Sequence, residues 1–173
     1  MKTRHKLIFS LALIGLSASV NAADFAINEN TKIQELKNVL GSPVRSLIAE
    51  KSEADFLDET KYTFLDLYNA HFGVVIVGVH PTSYHLANKI GDKQSQQLLE
   101  LNAKSVDNIS LLGVKLGENF NQAQQTIQQL PNFEKSMTAK NGNGIEYQFI
   151  DGSRVVLRSD ANNQVADVEL FLK

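Results

Sequence analysis

The amino-acid sequence predicts an α+β fold built from two tandem units, each with short helices packed on an antiparallel β-sheet. Three observations predict it. Two segments carry apolar residues at helical spacing between a capping residue and a Gly or Pro stop. Each is followed, in the same order, by a polar linker, a Tyr-x-Phe segment, a turn region and a Val-Val segment. Residues 144–172 alternate apolar and polar, the period of a half-buried strand.

The chain opens on an address. Lys2, Arg4, His5 and Lys6 form a basic start, Leu7 to Leu16 is apolar but short for a bilayer, and Val20-Asn21-Ala22 places small residues where a signal peptidase needs them. Residues 1–22 therefore read as a secretory signal cleaved before Ala23, leaving 151 of the 173 residues. Cleavage removes Lys2, Arg4 and Lys6 and no acid, so 14 basic and 19 acidic residues remain, a net charge of −5. A dispersed, mildly acidic surface does not attract phosphate backbones, so nucleic acid is not an expected partner. The longest later apolar run, Val74 to Val79, is strand-length, so no stable membrane insertion is expected. The expected location is periplasmic or secreted. The absence of Cys excludes a disulfide scaffold, a thiolate zinc site, a Cys nucleophile and a lipid-modified N-terminal Cys.

The first unit spans 23–107. Thr31 to Gly41 predicts a helix, with Ile33, Leu36, Val39 and Leu40 on one stripe, Thr31 and Gln34 as a capping box, and Gly41 with Pro43 as the stop. Tyr62-Thr63-Phe64 and Val74 to Val79 predict strands. The stretch Pro81 to Asp107 is ambiguous: Thr82 to Ile90 fits a short helix, and Leu98 to Leu101 fits helix or strand.

The second unit spans 108–173. It opens near Ile109, at Leu111-Leu112-Gly113-Val114-Lys115-Leu116-Gly117. Asn119 to Pro131 predicts a helix capped by Asn119, with Phe120, Ala123, Ile127 and Leu130 on one face. Three strands follow, at 144–150, 153–159 and 164–172, joined by turns at Asp151-Gly152 and Asp160 to Asn163. Alternation points Ile145, Tyr147, Phe149, Val155, Leu157, Ala166, Val168, Leu170 and Leu172 at the helices. It points Glu146, Gln148, Arg154, Val156, Arg158, Asp167, Glu169 and Phe171 the other way.

The second unit resembles the SmpA/OmlA family of small outer-membrane lipoproteins and the related β-lactamase-inhibitor-protein-like domains. The resemblance rests on Val114 to Gly117 before a short helix, on Tyr147-Gln148-Phe149 with Asp151-Gly152, and on the final hairpin from Asn162 to Leu170. It implies a helix pair on an antiparallel sheet, used to bind other proteins of the cell envelope. The lipoproteins carry a lipidated Cys after the signal. This chain has Ala23 there, so the tandem arrangement is nearer to the soluble inhibitor-like members.

Catalytic and metal-binding patterns are weak. His71, His80 and His85 are nine and five residues apart, which matches no helix-borne metal motif, and neither metal nor cofactor is expected. Ser83-Tyr84-His85 near Asp92 suggests a hydrolase, but triad members come from separate segments and no Gly-x-Ser-x-Gly occurs. Glu53, Asp55, Asp58 and Glu59 read as a solvated acidic loop. Gly142 to Gly144 lacks the strand, helix and Lys-Ser/Thr ending of a phosphate loop and reads as a flexible loop.

The outward set Glu146, Gln148, Arg154, Val156, Arg158, Asp167, Glu169 and Phe171 is the candidate partner-binding patch, with Val156 and Phe171 as apolar contacts inside a polar rim. Tyr84 with Val74 to Val79 is a second, weaker one. The expected function is non-catalytic binding of another envelope or secreted protein, as inhibitor, immunity or assembly factor. A periplasmic hydrolase and a small-ligand carrier are the alternatives. A binder predicts an exposed sheet patch without a perturbed titratable cluster, an enzyme a cleft with shifted pKa values, and a carrier an apolar cavity. The sequence leaves the oligomeric state open.

Overall fold

Alternation of apolar and polar residues recurs along the chain, and among the described residues strands outnumber helices. A computed structural model describes residues 25–50, 63–69, 71–77, 80–101, 109–140 and 144–173. The signal segment, Tyr62, the acidic stretch 53–59, Gly78, Val79, Gly142 and Asn143 lie outside the described residues.

Among the described residues, ten strands and three helices follow one another as β1 (Phe25–Ile27), α1 (Ile33–Leu40), β2 (Arg45–Glu50), β3 (Thr63–Leu67), β4 (Phe72–Val77), β5 (His80–Ala87), α2 (Lys93–Leu101), β6 (Ile109–Leu111), α3 (Phe120–Gln128), β7 (Phe133–Thr138), β8 (Ile145–Phe149), β9 (Arg154–Ser159) and β10 (Val165–Phe171). The fold is mixed α+β, with strands in the majority. Eight strands form one antiparallel sheet in the order β2-β3-β4-β5-β10-β9-β8-β7. The two short strands β1 and β6 pair in parallel, Phe25 with Ile109 and Ile27 with Leu111.

Register sorts the two faces, because residues directly opposite on antiparallel strands share a face. One face carries Tyr147, Val155, Leu170, Tyr84 and Val74 in one cross-strand row. These join a single hydrophobic core with Leu36 and Leu40 of α1, Phe120, Ala123 and Ile127 of α3, and Ile27, Ile109 and Leu111 of the parallel pair. The core runs across the β5–β10 junction. A Leu of this kind, fully withdrawn from water, stabilises by about 1.5–3 kcal/mol. The opposite face has a smaller core: Leu67 and Ala87 pack with Ile90 and with Leu99 of α2, flanked by Leu47 and Leu65. No described helix is long and apolar enough to cross a membrane.

Several expectations are corrected. Residues 82–87 belong to strand β5, not to a helix, because Ser83, His85 and Ala87 face one way and Tyr84 and Leu86 the other, a period of two. Leu98 to Leu101 are helical, in α2. Thr31 does not cap α1. Its hydroxyl accepts from Asn28 N at 3.0 Å, and Lys32 takes the cap position, its N–H donating to Glu35 Oε2 at 3.2 Å. Val39 lies off the buried stripe and is 53% exposed. In β10 a bulge between Val165 and Asp167 shifts the alternation, so Val165 enters the core in place of Ala166. Asn119 does cap α3, its Oδ1 accepting from the N–H groups of Asn121 (3.0 Å) and Gln122 (3.3 Å). Edge strands β2 and β7 are additions to the expected list.

Candidate functional site

The bulge at Val165 restores the phase of β10, so Asp167, Glu169 and Phe171 emerge together on the face away from the main core. Their cross-strand partners are Arg158, Val156 and Arg154 on β9. On β10's other side they meet Ala87, His85 and Ser83 of β5. Glu146 of β8 pairs with Val156, and Gln148 with Arg154. Met137 of β7 lies opposite Glu146 and is 42% exposed. The outward set read from alternation therefore does share one face.

Charges on this plane are ordered. His85 Nε2 lies 3.0 Å from Asp167 Oδ2, and Arg158 Nη1 donates to Asp167 Oδ1 at 2.7 Å. Arg158 also reaches Glu169 at 4.0 Å. Arg154 lies 3.6 Å from Glu146 and places its guanidinium 4.1 Å from the ring centroid of Phe171, a cation–π contact. Gln148 Nε2 donates to Glu146 Oε1 at 3.0 Å. Val156, directly opposite Glu146 on one side and Glu169 on the other, is only 4% exposed. Val156 is thus part of the packing beneath the patch, and the expectation that it offers itself as an apolar contact is corrected. Phe171 stays half-buried, with Arg154 exposed beside it.

Burial and charge move these groups apart in pKa. Burial alone lowers His85, but the hydrogen bond and charge of Asp167, with Glu169, outweigh it and hold the imidazole above its ordinary value. Burial raises Asp167, and the hydrogen bond and charge of His85 together with Arg158 bring it below the usual carboxylate range. Glu169 goes up, chiefly through burial. The expectation of a binding patch without a perturbed titratable cluster is therefore not met. A structural ion-pair network shifts pKa values as an active site does.

The other candidates are dispersed. Ser83 and His85 share the outer face while Tyr84 is fully buried, its hydroxyl donating to the Thr31 carbonyl. Tyr84 and Val74 are core, so the second patch is withdrawn. Asp92 is not the partner of His85. It accepts from Ser95 N at 2.7 Å at the start of α2 and lies 3.7 Å from Arg45. His71 Nδ1 sits 3.1 Å from the Ala87 carbonyl, and His80 is exposed on β5. Among the described residues no three His, Cys, Asp or Glu side chains could hold a metal ion. Gly144 is not loose. A Cβ there would stand 2.6 Å from the Leu157 carbonyl oxygen.

His85 and Met137 belong to the patch and were missed. The signal for His85 was the two-residue period of 80–87. Met137 sits on an exposed edge strand with no apolar rhythm to reveal it.

No protein-family model matches the chain, and no curated protein matches it. Among solved structures, the chain has a weak similarity to a cysteine-rich secretory protein (SAV1118) from Staphylococcus aureus subsp. aureus Mu50, at a TM-score of 0.40 and 9% identity. The match covers 83% of this chain and 44% of that one. A likeness at that level decides neither fold family nor role.

Proposed function

We propose that this chain is an exported, soluble, non-catalytic protein-binding module that acts on another protein of the cell envelope. The observation that carries the reading is the division of one sheet face. Its β2–β5 half is occupied by α2 over Leu67 and Ala87, while its β10–β7 half presents ordered charges around Phe171. Arg and aromatic side chains held in fixed geometry, with charged neighbours around them, are the composition of a recognition surface.

The element order supports a tandem repeat of the inhibitor-like type. The order β-α-β-β-β-β occurs twice, at β1 to β5 and β6 to β10, and the strand order of the sheet is symmetric about the β5–β10 pair. In this reading the units are 23–107 and 108–173, residues 1–22 are removed on export, and the two units share one sheet.

The test is crosslinking capture of the tagged chain from its native envelope, beside the double variant Arg154→Ala, Phe171→Ala. The reading expects one dominant, saturable partner that the folded double variant loses. Equal capture by both forms, or no partner for a folded protein, overturns it.

A cleft of about 380 Å³ on the other side of the sheet, beside the β1–β6 pair, favours a second reading, a small-ligand carrier.

A further inference from the structure

The eight-stranded sheet ends at β7, and no described strand lies beyond it. Glu134, Lys135, Ser136, Met137 and Thr138 are all exposed. One hydrogen bond fixes which way the backbone groups of this strand turn. Ala139 N donates to the Gly144 carbonyl at 3.0 Å, so Ala139 faces β8. Antiparallel pairing alternates, so Met137 and Lys135 also bond toward β8, opposite Glu146 and Gln148. Ser136 and Thr138 therefore turn their N–H and C=O groups outward, a template for another strand. The bulge that blunts this edge lies at its start, between Phe133 and Lys135, and leaves the rest of the strand regular.

The strand is complementary to itself. Two copies joined antiparallel, across a two-fold axis normal to the sheet, keep their faces, and outward-turned residues meet outward-turned residues. The centre of the pairing then decides what meets what. A centre at Lys135 sets two ammonium groups together. A centre at Ser136 leaves Glu134 against Thr138 and Lys135 against Met137. A centre at Thr138 sets Ser136 against Lys140 and leaves Glu134 without a partner in the strand. A centre at Met137 brings Glu134 to Lys140 and Ser136 to Thr138, each twice, and sets the exposed Met137 against its own copy. Opposite charges, hydroxyl pairs and an apolar pair at the closest cross-strand position favour a ladder, and like charges oppose it.

We infer that β7 is a self-association surface: a second copy of this chain adds its own β7 antiparallel, in the register centred on Met137, and the sheet continues from one copy into the other. A single strand pair falls below the about 1,200–2,000 Å² of a standard interface, so the dimer is weak and reversible. The two Phe171 patches then lie on one side of a continuous sheet, which allows two-site attachment to a partner present in many copies. That consequence rests on the recognition reading; the dimer does not.

The test uses protein purified from cells expressing the full 173-residue chain, with no partner added, so its failure leaves the recognition reading untouched. Sedimentation velocity between about 1 μM and 1 mM shows a reversible monomer–dimer equilibrium. Glu134→Lys weakens the dimer about tenfold or more by setting like charges opposite each other, and the swap Glu134→Lys, Lys140→Glu restores it. Ser136→Pro abolishes it in a protein that still folds, because the lost N–H points away from β8. The chain has no Cys, so Met137→Cys introduces a single thiol. In this register two such positions stand about 4.5 Å apart between Cα atoms, within disulfide reach, and air oxidation yields a covalent dimer. Lys135→Cys yields none. Monomer throughout the concentration range, a folded Ser136→Pro that still dimerises, a charge swap that fails to restore the dimer, or covalent dimers in equal yield from positions 135 and 137 overturns the inference.

Discussion

His85 Nε2 and Asp167 Oδ2 stand 3.0 Å apart across the β5–β10 junction, joining a strand of the N-terminal half to one of the C-terminal half. The contact is linked to protons. His85 is raised above its ordinary 6.5, burial opposing and Asp167 outweighing it, so its contribution is fully present below about pH 6.5. That contribution is lost as pH rises through the folded value. Asp167, lowered below 3.8 because His85 and Arg158 outweigh its burial, contributes above that pH and loses its contribution as pH falls through its folded value. Thermal melts of wild type and His85→Gln should therefore differ most between those two ordinary values. The gap, about 1 kcal/mol for a partly exposed pair, closes on the alkaline side. A gap independent of pH contradicts the linkage.

Asp167→Asn removes the charge that serves both His85 and Arg158. It should cost more than His85→Gln, about 2 kcal/mol near pH 6, read by urea unfolding. Equal losses would mean that Arg158 gains nothing from the carboxylate.

Two of the three tyrosines in the main core, Tyr84 and Tyr147, carry opposite expectations. Tyr84 donates its hydroxyl to the Thr31 carbonyl, and Tyr84→Phe should lose about 1–2 kcal/mol by leaving that carbonyl unpaired. Tyr147's hydroxyl is buried without a partner among the described residues, and burial pushes its pKa up to about 12. Tyr147→Phe should be neutral or stabilising by up to about 1 kcal/mol. Differential scanning calorimetry of the two variants checks the contrast.

Gly144 approaches the Leu157 backbone so closely that Gly144→Ala must displace β8 from β9. A loss of about 2 kcal/mol or more is expected, with amide shifts concentrated at Ile145 and Leu157. Asn119→Ala removes the α3 cap and should cost about 1 kcal/mol without such shifts.

Legibility followed the strength of local rhythm. The strands from Ile145 to Phe171 were readable because strict alternation, Asp151-Gly152 and the Asn163 turn at φ 59° agree with one another. Strand β7, Phe-Glu-Lys-Ser-Met-Thr, lies at an open edge where solvent accepts either face, so no pattern is imposed on it. Strand β5 was blurred because His80, Pro81 and Thr82 mix polar and turn-forming residues into a strand whose partners come from both halves. The patch was legible in membership but not in depth. Alternation tells which way Val156 points, but not that it is buried between its cross-strand neighbours Glu146 and Glu169. The cavity was not legible at all, because it is assembled from Ile27, Leu112, Leu130 and Leu170, residues far apart in the chain.

The central claim, that the β10–β7 half of the outer face is a recognition surface, is tested most directly by placing a photoreactive residue at position 171 and, as control, at position 125. Gln125 is exposed on α3, over the opposite face. The account predicts an adduct with one envelope protein from position 171 that untagged wild type competes away, and none from position 125. Adducts of equal yield from both positions, or none from position 171 in a folded protein, would contradict it.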